Sequence, residues 1–316
     1  MIISRFWLSL IAIFVIGVLF TQIADNEFYF FISYAILQAL IMAIGWNILG
    51  GFTGYVNFGS AGFFGIGAYT TVLLHKMMGD VQVVVAVIGA GIVAGLLGLA
   101  VGYLTLRLKG VYFAIATLAI AIVLETVAAN WDYVGGATGY YILVPEKIIF
   151  FDSYIEWLFT VMLFLALLAV GISRYLNSSR MGQGLAAIRD DELAAECAGV
   201  PTLRLKLIST TIMGVLMGFA GAAFPFFVTF VEPLSAFNLL IAVNAIAMPM
   251  IGGTASWFGP IVGALFLGSA QEIITVTISS ELNLLVVGVL LVGFITLAPQ
   301  GIVGLYQDWR KKRDAK

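Results

Sequence analysis

Asp190, Asp191 and Glu192 stand side by side in a 316-residue chain in which only 10 % of residues are charged. Three adjacent carboxylates could hold a cation, work as acid and base, or open a helix, whose dipole favours negative charge at its start. The first two roles need further donors, and the inventory holds one His (His75) and one Cys (Cys197). A lone thiol forms no internal disulfide, and with one imidazole it falls short of the usual metal sets. A phosphate loop of the form G-x-x-x-x-G-K-[ST] is missing, since the Gly-rich run from Gly62 to Gly67 lacks the lysine. The neighbours support the helix start. Gly199 and Pro201 end that helix, and residues 184–189 form another short helical turn carrying Leu185 and Ile188. Leu193, Ala194, Cys197 and Ala198 then make one narrow apolar stripe. The segment therefore reads as two short helices joined at an acidic corner. Either it lies on the protein's own surface or it docks in a partner's groove, where Gly184, Ala187 and Ala195 allow close approach and the charges set the register.

The rest of the chain must position that corner, and its composition says in what medium. Hydrophobic residues make up 62 %, and the mean hydropathy is +1.08. Soluble domains carry about 45–50 % apolar and about 25 % charged residues, so the expected class is an all-α polytopic membrane protein. The net charge of −2 offers no basic face for nucleic acid. Apolar windows long enough to cross a bilayer lie at 6–24, 28–49, 59–74, 81–106, 111–129, 154–172, 207–231, 238–251, 258–278 and 282–298, about ten spans in one transmembrane domain over 1–316. Arg5 precedes the first window, but Thr21-Gln22-Ile23-Ala24-Asp25 is a poor cleavage site, so that window reads as a retained anchor. Ten of the fifteen basic residues fall in two places. Arg174, Arg180, Arg189, Arg204 and Lys206 lie in the loop at about 173–206; Arg310, Lys311, Lys312, Arg313 and Lys316 lie in the tail. The positive-inside rule puts both in the cytoplasm, together with Arg107 and Lys109, and both termini follow. Asp25, Asn26 and Glu27, and the stretch with Asp132, Glu146, Lys147 and Asp152, fall outside.

Glycine-broken short segments inform on transporters, because irregular backbone survives at membrane depth only beside protein or water. One break runs from Gly50 to Ser60; the other runs from Met248 to Thr254 and is followed by Phe258-Gly259-Pro260. Both contain a Gly-Gly pair, a Thr and a Phe-Gly, a pattern of internal duplication; the span count puts both copies on one side, as parallel repeats, and one short segment counted differently makes them inverted. A path for a small solute should be mostly apolar with a few polar groups. Candidates are Thr53, Tyr55, Asn57 and Ser60 at the first break, Thr117 in the fifth span and Asn244 near the second break. Each has a plainer reading as a helix–helix hydrogen bond. Among charges inside spans, Glu125 and Glu156 sit near outer ends, whereas Glu272 is deeper and is the candidate for a buried pathway role. His75, beside Lys76, closes a span at the interface.

The pattern R-x-G-x-G-L-x-A-I-R-D-D-E-x-A-A-E-x-x-G-V from Arg180 to Val200 resembles the coupling loop of the permease subunits of branched-chain amino acid ABC importers, the LivM type. Asn47 to Thr70, Lys109 to Ala119 and the Gly135-Gly136-Ala137-Thr138-Gly139 loop are similar to the same family, and the likeness runs from about residue 30 to 305. Ser60 stands where members commonly have His, and Tyr140-Tyr141 replaces Gly-Leu. The resemblance implies a translocation subunit of a bacterial inner membrane that is not itself an enzyme. It implies a second homologous permease, two cytoplasmic ATP-binding subunits and an external solute-binding protein. No cofactor is expected on this chain, since ATP belongs to the partners. The ATPase-coupling residues would be Gly182, Gly184, Ala187, Ile188, Arg189, Asp190, Asp191, Glu192, Ala195, Glu196 and Gly199. Related permeases carry urea, short-chain amides or other small solutes, and an ion-coupled secondary transporter is the alternative from another class.

Overall fold

A computed structural model describes residues 2–24, 26–79, 81–144, 151, 153–277, 280–298 and 300–314. Asp25, Glu146, Lys147, Asp152 and Lys316, used above for sidedness, lie outside the described residues. The long helices are α1 (Ile2–Thr21), α2 (Glu27–Thr53), α3 (Ser60–Met78), α4 (Val83–Thr105), α5 (Val111–Ala129) and α6 (Tyr154–Ser178). Two short helices come next, α7 (Arg180–Asp190) and α8 (Glu192–Cys197), and then α9 (Thr202–Val228), α10 (Pro233–Ala236), α11 (Leu239–Gly252), α12 (Gly259–Thr277), α13 (Ser280–Leu297) and α14 (Gly301–Asp314). Six of these segments are long and apolar enough to cross a membrane: α2, α4, α5, α6, α9 and the run Pro233–Gly252. The protein is an all-α polytopic membrane bundle.

Without water, apolar burial drives helix association weakly, and close approach of backbones takes over. The contact between α4 and α9 shows it. Ala90, Ala94 and Gly98 recur every four residues on α4, facing Thr210, Gly214 and Gly218 on α9. A Cβ added to Gly214 would lie 2.6 Å from the Ala94 carbonyl oxygen, so the backbones touch. Across the outside of α4, Ile88, Ile92, Leu96 and Leu104 are exposed, as a lipid-facing side should be.

The two ends of the bundle differ. At one end β1 (Tyr140–Tyr141) pairs antiparallel with β2 (Phe230–Val231), in the register Tyr140 to Val231 and Tyr141 to Phe230. Lys76 at the end of α3 pins this end, donating to the Tyr133 carbonyl and lying over the Tyr133 and Tyr140 rings at 4.9 and 5.6 Å. At the other end sit α7 and α8, with the turns after α2 and α11.

Several boundaries depart from the sequence expectation. The loop is shorter than 173–206, because α6 runs on to Ser178 and α9 begins at Thr202. The first break is narrower than Gly50–Ser60. Gly50 and Gly51 stay helical, with the Trp46 ring and the Asn47 amide of the preceding turn packed over them, and α2 ends only at Gly54, whose φ of 78° is left-handed. Likewise α11 carries Pro249 within it and ends at Gly252. Both breaks turn at the same end of the bundle, and they meet: a Cβ on Gly51 would lie 2.8 Å from the Thr254 carbonyl oxygen.

Candidate functional site: the α7–α8 loop and the break after α2

The α7–α8 loop is built by its caps. Ser179 accepts a hydrogen bond from the Gly182 N–H at 3.2 Å and starts α7. The side chain of Asp191 accepts from the N–H groups of Leu193 and Ala194 at 2.9 and 3.0 Å and starts α8. Gly199, at φ 84°, turns the chain toward α9, and Glu196 accepts from the Thr202 hydroxyl. Asp191 is thus a cap, and the acidic corner is a helix start, as its spacing predicts.

One side of the loop is locked to the protein. Leu185, Ile188 and Ala195 are buried and Ala187 is half-buried. A Cβ on Gly182 would lie 2.1 Å from the Leu176 carbonyl oxygen, and one on Gly184 would lie 2.6 Å from the Leu205 side chain. The small residues singled out for a partner's approach therefore serve first to seat the loop on its own helices. The other side is free. Arg189, Asp190, Ala194, Glu196, Cys197, Ala198 and Gly199 are exposed, and Leu193 is 67 % exposed on a six-residue helix. The apolar stripe points away from the protein.

Glu192 turns inward. Its carboxylate accepts from the Lys206 ammonium and from the Tyr55 hydroxyl, each at 2.6 Å, and Lys109 stands 3.7 Å away. Lys206 is 2 % exposed and also donates to the Tyr55 hydroxyl oxygen at 3.0 Å and to the Leu106 carbonyl at 3.3 Å. All three ammonium protons have acceptors, the condition under which a buried lysine is tolerated. Partial burial alone would raise the Glu192 carboxyl. The hydrogen bonds from Lys206 and Tyr55 and the charges of Lys206 and Lys109 outweigh it and hold the group below its usual range. Burial and the bond to Glu192 push the Tyr55 hydroxyl well above its ordinary value, so its proton stays in place to be donated.

The cluster joins α8 to residues 54–59 between α2 and α3. Beyond Tyr55, the Asn57 carbonyl accepts from the Trp46 indole at 2.9 Å, and the Phe58 N–H donates to the Thr117 hydroxyl oxygen at 3.2 Å. The Asn57 side-chain oxygen accepts from the Gly59 N–H at 2.6 Å. Asn57 Nδ2, Ser60 Oγ and both polar atoms of the Asn47 amide are buried with no protein hydrogen-bond partner. Of the polar residues proposed from the sequence at this break, Asn57, Ser60 and Thr117 come together. Thr53 donates to the Leu49 carbonyl within α2, and Tyr55 belongs to the Glu192 cluster. Asn244 lies elsewhere, accepting from Gln271 and joining α11 to α12, and Glu272 is half-buried next along α12.

Lys206 and Lys109 enter the site through contacts that their sequence positions do not assign to them. Lys206 carries a signal, a cation inside the apolar run Leu205-Lys206-Leu207-Ile208, but in sequence it reads only as a sidedness charge.

The described residues thus form a helical membrane bundle with broken spans and a folded two-helix loop at one end. The family described as "Branched-chain amino acid transport system / permease component" matches residues 28–295, and the chain belongs to that family. It is similar to the high-affinity branched-chain amino acid transport system permease protein LivM of Salmonella typhimurium LT2, 27 % identical over 302 residues, 88 % of this chain and 70 % of that protein. The corresponding LivH of the same organism is 25 % identical over 289 residues, covering 84 % and 90 %. The L-arabinose ABC transporter permease protein AraH of Azospirillum brasilense is 28 % identical over 101 residues, 31 % of this chain and 30 % of that protein. The chain is a membrane permease subunit of the ABC importer type.

Proposed function

We propose that this chain is one half of the translocation unit of an importer for branched-chain amino acids, driven by ATP hydrolysis on separate subunits. The observation that carries the reading is the two-sided loop: its inner face is seated on α6 and α9, and its outer face offers Leu193, Ala194, Cys197 and Ala198. A rigid element of this kind, held in a partner's cleft, passes domain closure to the attached helices as a rigid-body shift. Two cytoplasmic ATP-binding subunits supply the closure, and the chain itself binds no cofactor. In this reading the chain forms one permease domain over 1–316 that crosses the membrane about ten times, α1, α3, α12 and α13 adding to the six longer or more apolar segments. The excess of Lys and Arg in the loop and tail puts both, and both termini, in the cytoplasm of a bacterial inner membrane.

The relatives named LivM and LivH occur in one organism, which supports a second, homologous permease as the other half of the channel. An external solute-binding protein delivers substrate to the opposite end, near β1 and β2. Asn57, Ser60 and Thr117 at the first break, with Asn244 and Glu272 on α11 and α12, are the polar groups offered to the solute. The test is transport of labelled leucine, urea and short-chain amides by the complete complex in proteoliposomes. ATP-dependent uptake of leucine is expected; uptake by this chain alone on a proton gradient would reject the reading.

A further inference from the structure

Four separate parts of the chain meet at the Lys206 ammonium. Glu192 begins α8, Tyr55 belongs to residues 54–59, Leu106 caps α4, and Lys206 lies in the first turns of α9. Lys206 bonds to the other three, and Tyr55 also packs edge-on against Phe113 of α5 at 5.1 Å. No sequence-local contact makes this arrangement: Tyr55 and Glu192 are 137 residues apart. Two residues beyond Tyr55 begin the buried groups without protein partners, Asn57 Nδ2 and Ser60 Oγ, facing a backbone held by single hydrogen bonds to Trp46 and Thr117. A buried polar atom without a protein partner calls for a hydrogen bond from elsewhere, such as water or a solute.

We propose that Glu192, Lys206 and Tyr55 act as a transmission that carries displacement of α8 into residues 54–59 and brings Asn57 and Ser60 into the translocation path during ATP turnover. This deepens the importer reading and rests on it. Lys206 and Tyr55 are positioning residues: the charge-assisted bonds to Glu192 are short and directional, so a shift of α8 pulls the Tyr55 ring and the backbone behind it.

The experiment uses the whole complex in proteoliposomes, with the native Cys197 replaced (Cys197→Ala) and Ser60→Cys as the reporter. Modification by a small positively charged methanethiosulfonate is followed with Mg-ATP and with ADP, and leucine uptake per ATP hydrolysed is measured in parallel. Labelling at least fivefold faster with ATP is expected, collapsing to within twofold in Lys206→Met, with uptake per ATP down about tenfold. Glu192→Gln, which keeps the side chain's size, should give the same pattern if Lys206→Met does not assemble. Tyr55→Phe should fall between. Nucleotide-independent labelling of the Ser60→Cys complex, or unchanged labelling and coupling in Lys206→Met and Glu192→Gln while it transports normally, would overturn the transmission and leave the importer reading standing. A complex of the unsubstituted chain that takes up no leucine with ATP would overturn both.

Discussion

The breaks after α2 and after α11 share a signature of Gly-Gly, Thr and Phe-Gly, yet they are held in opposite ways. The first is held by side chains. Tyr55 bonds to Glu192 and Lys206, Asn57 to Trp46 and Phe58 to Thr117. The second is a weld of backbone on backbone. A Cβ on Gly252 would lie 1.8 Å from the Gly259 carbonyl oxygen, one on Gly263 1.8 Å from the Met248 carbonyl oxygen, and one on Gly301 2.4 Å from the Gly253 nitrogen. Trp257 beside it is clamped by the Arg174 guanidinium, which lies 5.0 Å from that ring and 4.0 Å from the Phe6 ring. Between this turn and α7 lies a cleft of about 310 Å³ lined by Arg189, Thr254, Ser256 and Gln300. The difference teaches that glycine in a membrane bundle serves two purposes: space, which fixes an element, and a turn, which leaves side-chain bonds to hold the next stretch of chain. Among the described residues, a side-chain hydrogen bond from Tyr55 to Glu192 ties the first break to the loop.

The contrast can be broken at the weld first. Gly263→Ala must push backbones apart and should cost about 3 kcal/mol or more. The expected outcome is a large loss of folded protein, read as membrane yield and thermal aggregation in detergent; near-normal yield would show that the weld has slack. At the first break Gly54 is conformational. A Cβ there would make only ordinary contact with the Arg189 side chain at 3.4 Å but would sit at φ 78°, so Gly54→Ala should cost only about 1–2 kcal/mol by the same assay.

Glu192→Gln sharpens the other half of the comparison. Removing one partner of a buried ion pair costs about 3–5 kcal/mol, toward the low end here because the Glu192 side chain keeps 13 % of its exposure. It should loosen α8 without dissolving the bundle, visible as faster hydrogen exchange confined to residues 191–201 and 54–59. Uniform exchange across the α11–α12 weld would contradict the separation of the two breaks.

The smallest effect is the response to acid. The Glu192 carboxyl is held below the usual carboxylate value of about 4.3. With the folded value depressed, its stabilising contribution is complete above the unfolded value and is lost as pH falls through the folded one. A spin label on Cys197 should therefore show constant mobility from pH 8 to about 5 and loosen only at lower pH. Loosening near pH 6 would mean that the pair does not hold α8.

Much of this is legible in the sequence because bilayer physics is written in long apolar runs: 111–129 is α5, and 258–278 lies within two residues of α12. The acidic corner is legible too, since a cap and a glycine stop are local features. Helix ends are harder. The turns of α6 and α9 nearest the loop carry polar residues yet remain helical because they pack on neighbours. The Glu192–Lys206–Tyr55 cluster is not legible, because its members are brought together by topology, and the inward turn of Glu192 depends on α8 being seated on the protein. Leu193 to Ala198 form a stripe by spacing alone; which side it faces depends on the fold.

Cys197 offers the most direct test of the account as a whole, being a free thiol on the exposed side of α8 and the one cysteine in the sequence. In inside-out vesicles stripped of ATP-binding subunits it should react with a membrane-impermeant maleimide, and in right-side-out ones it should not. ATP-binding subunits should shield it or cross-link to it in a nucleotide-dependent way. Labelling from the outer face, or cross-linking to no ATP-binding subunit under any nucleotide condition, would contradict the claim that this loop is where ATP-driven motion enters the permease.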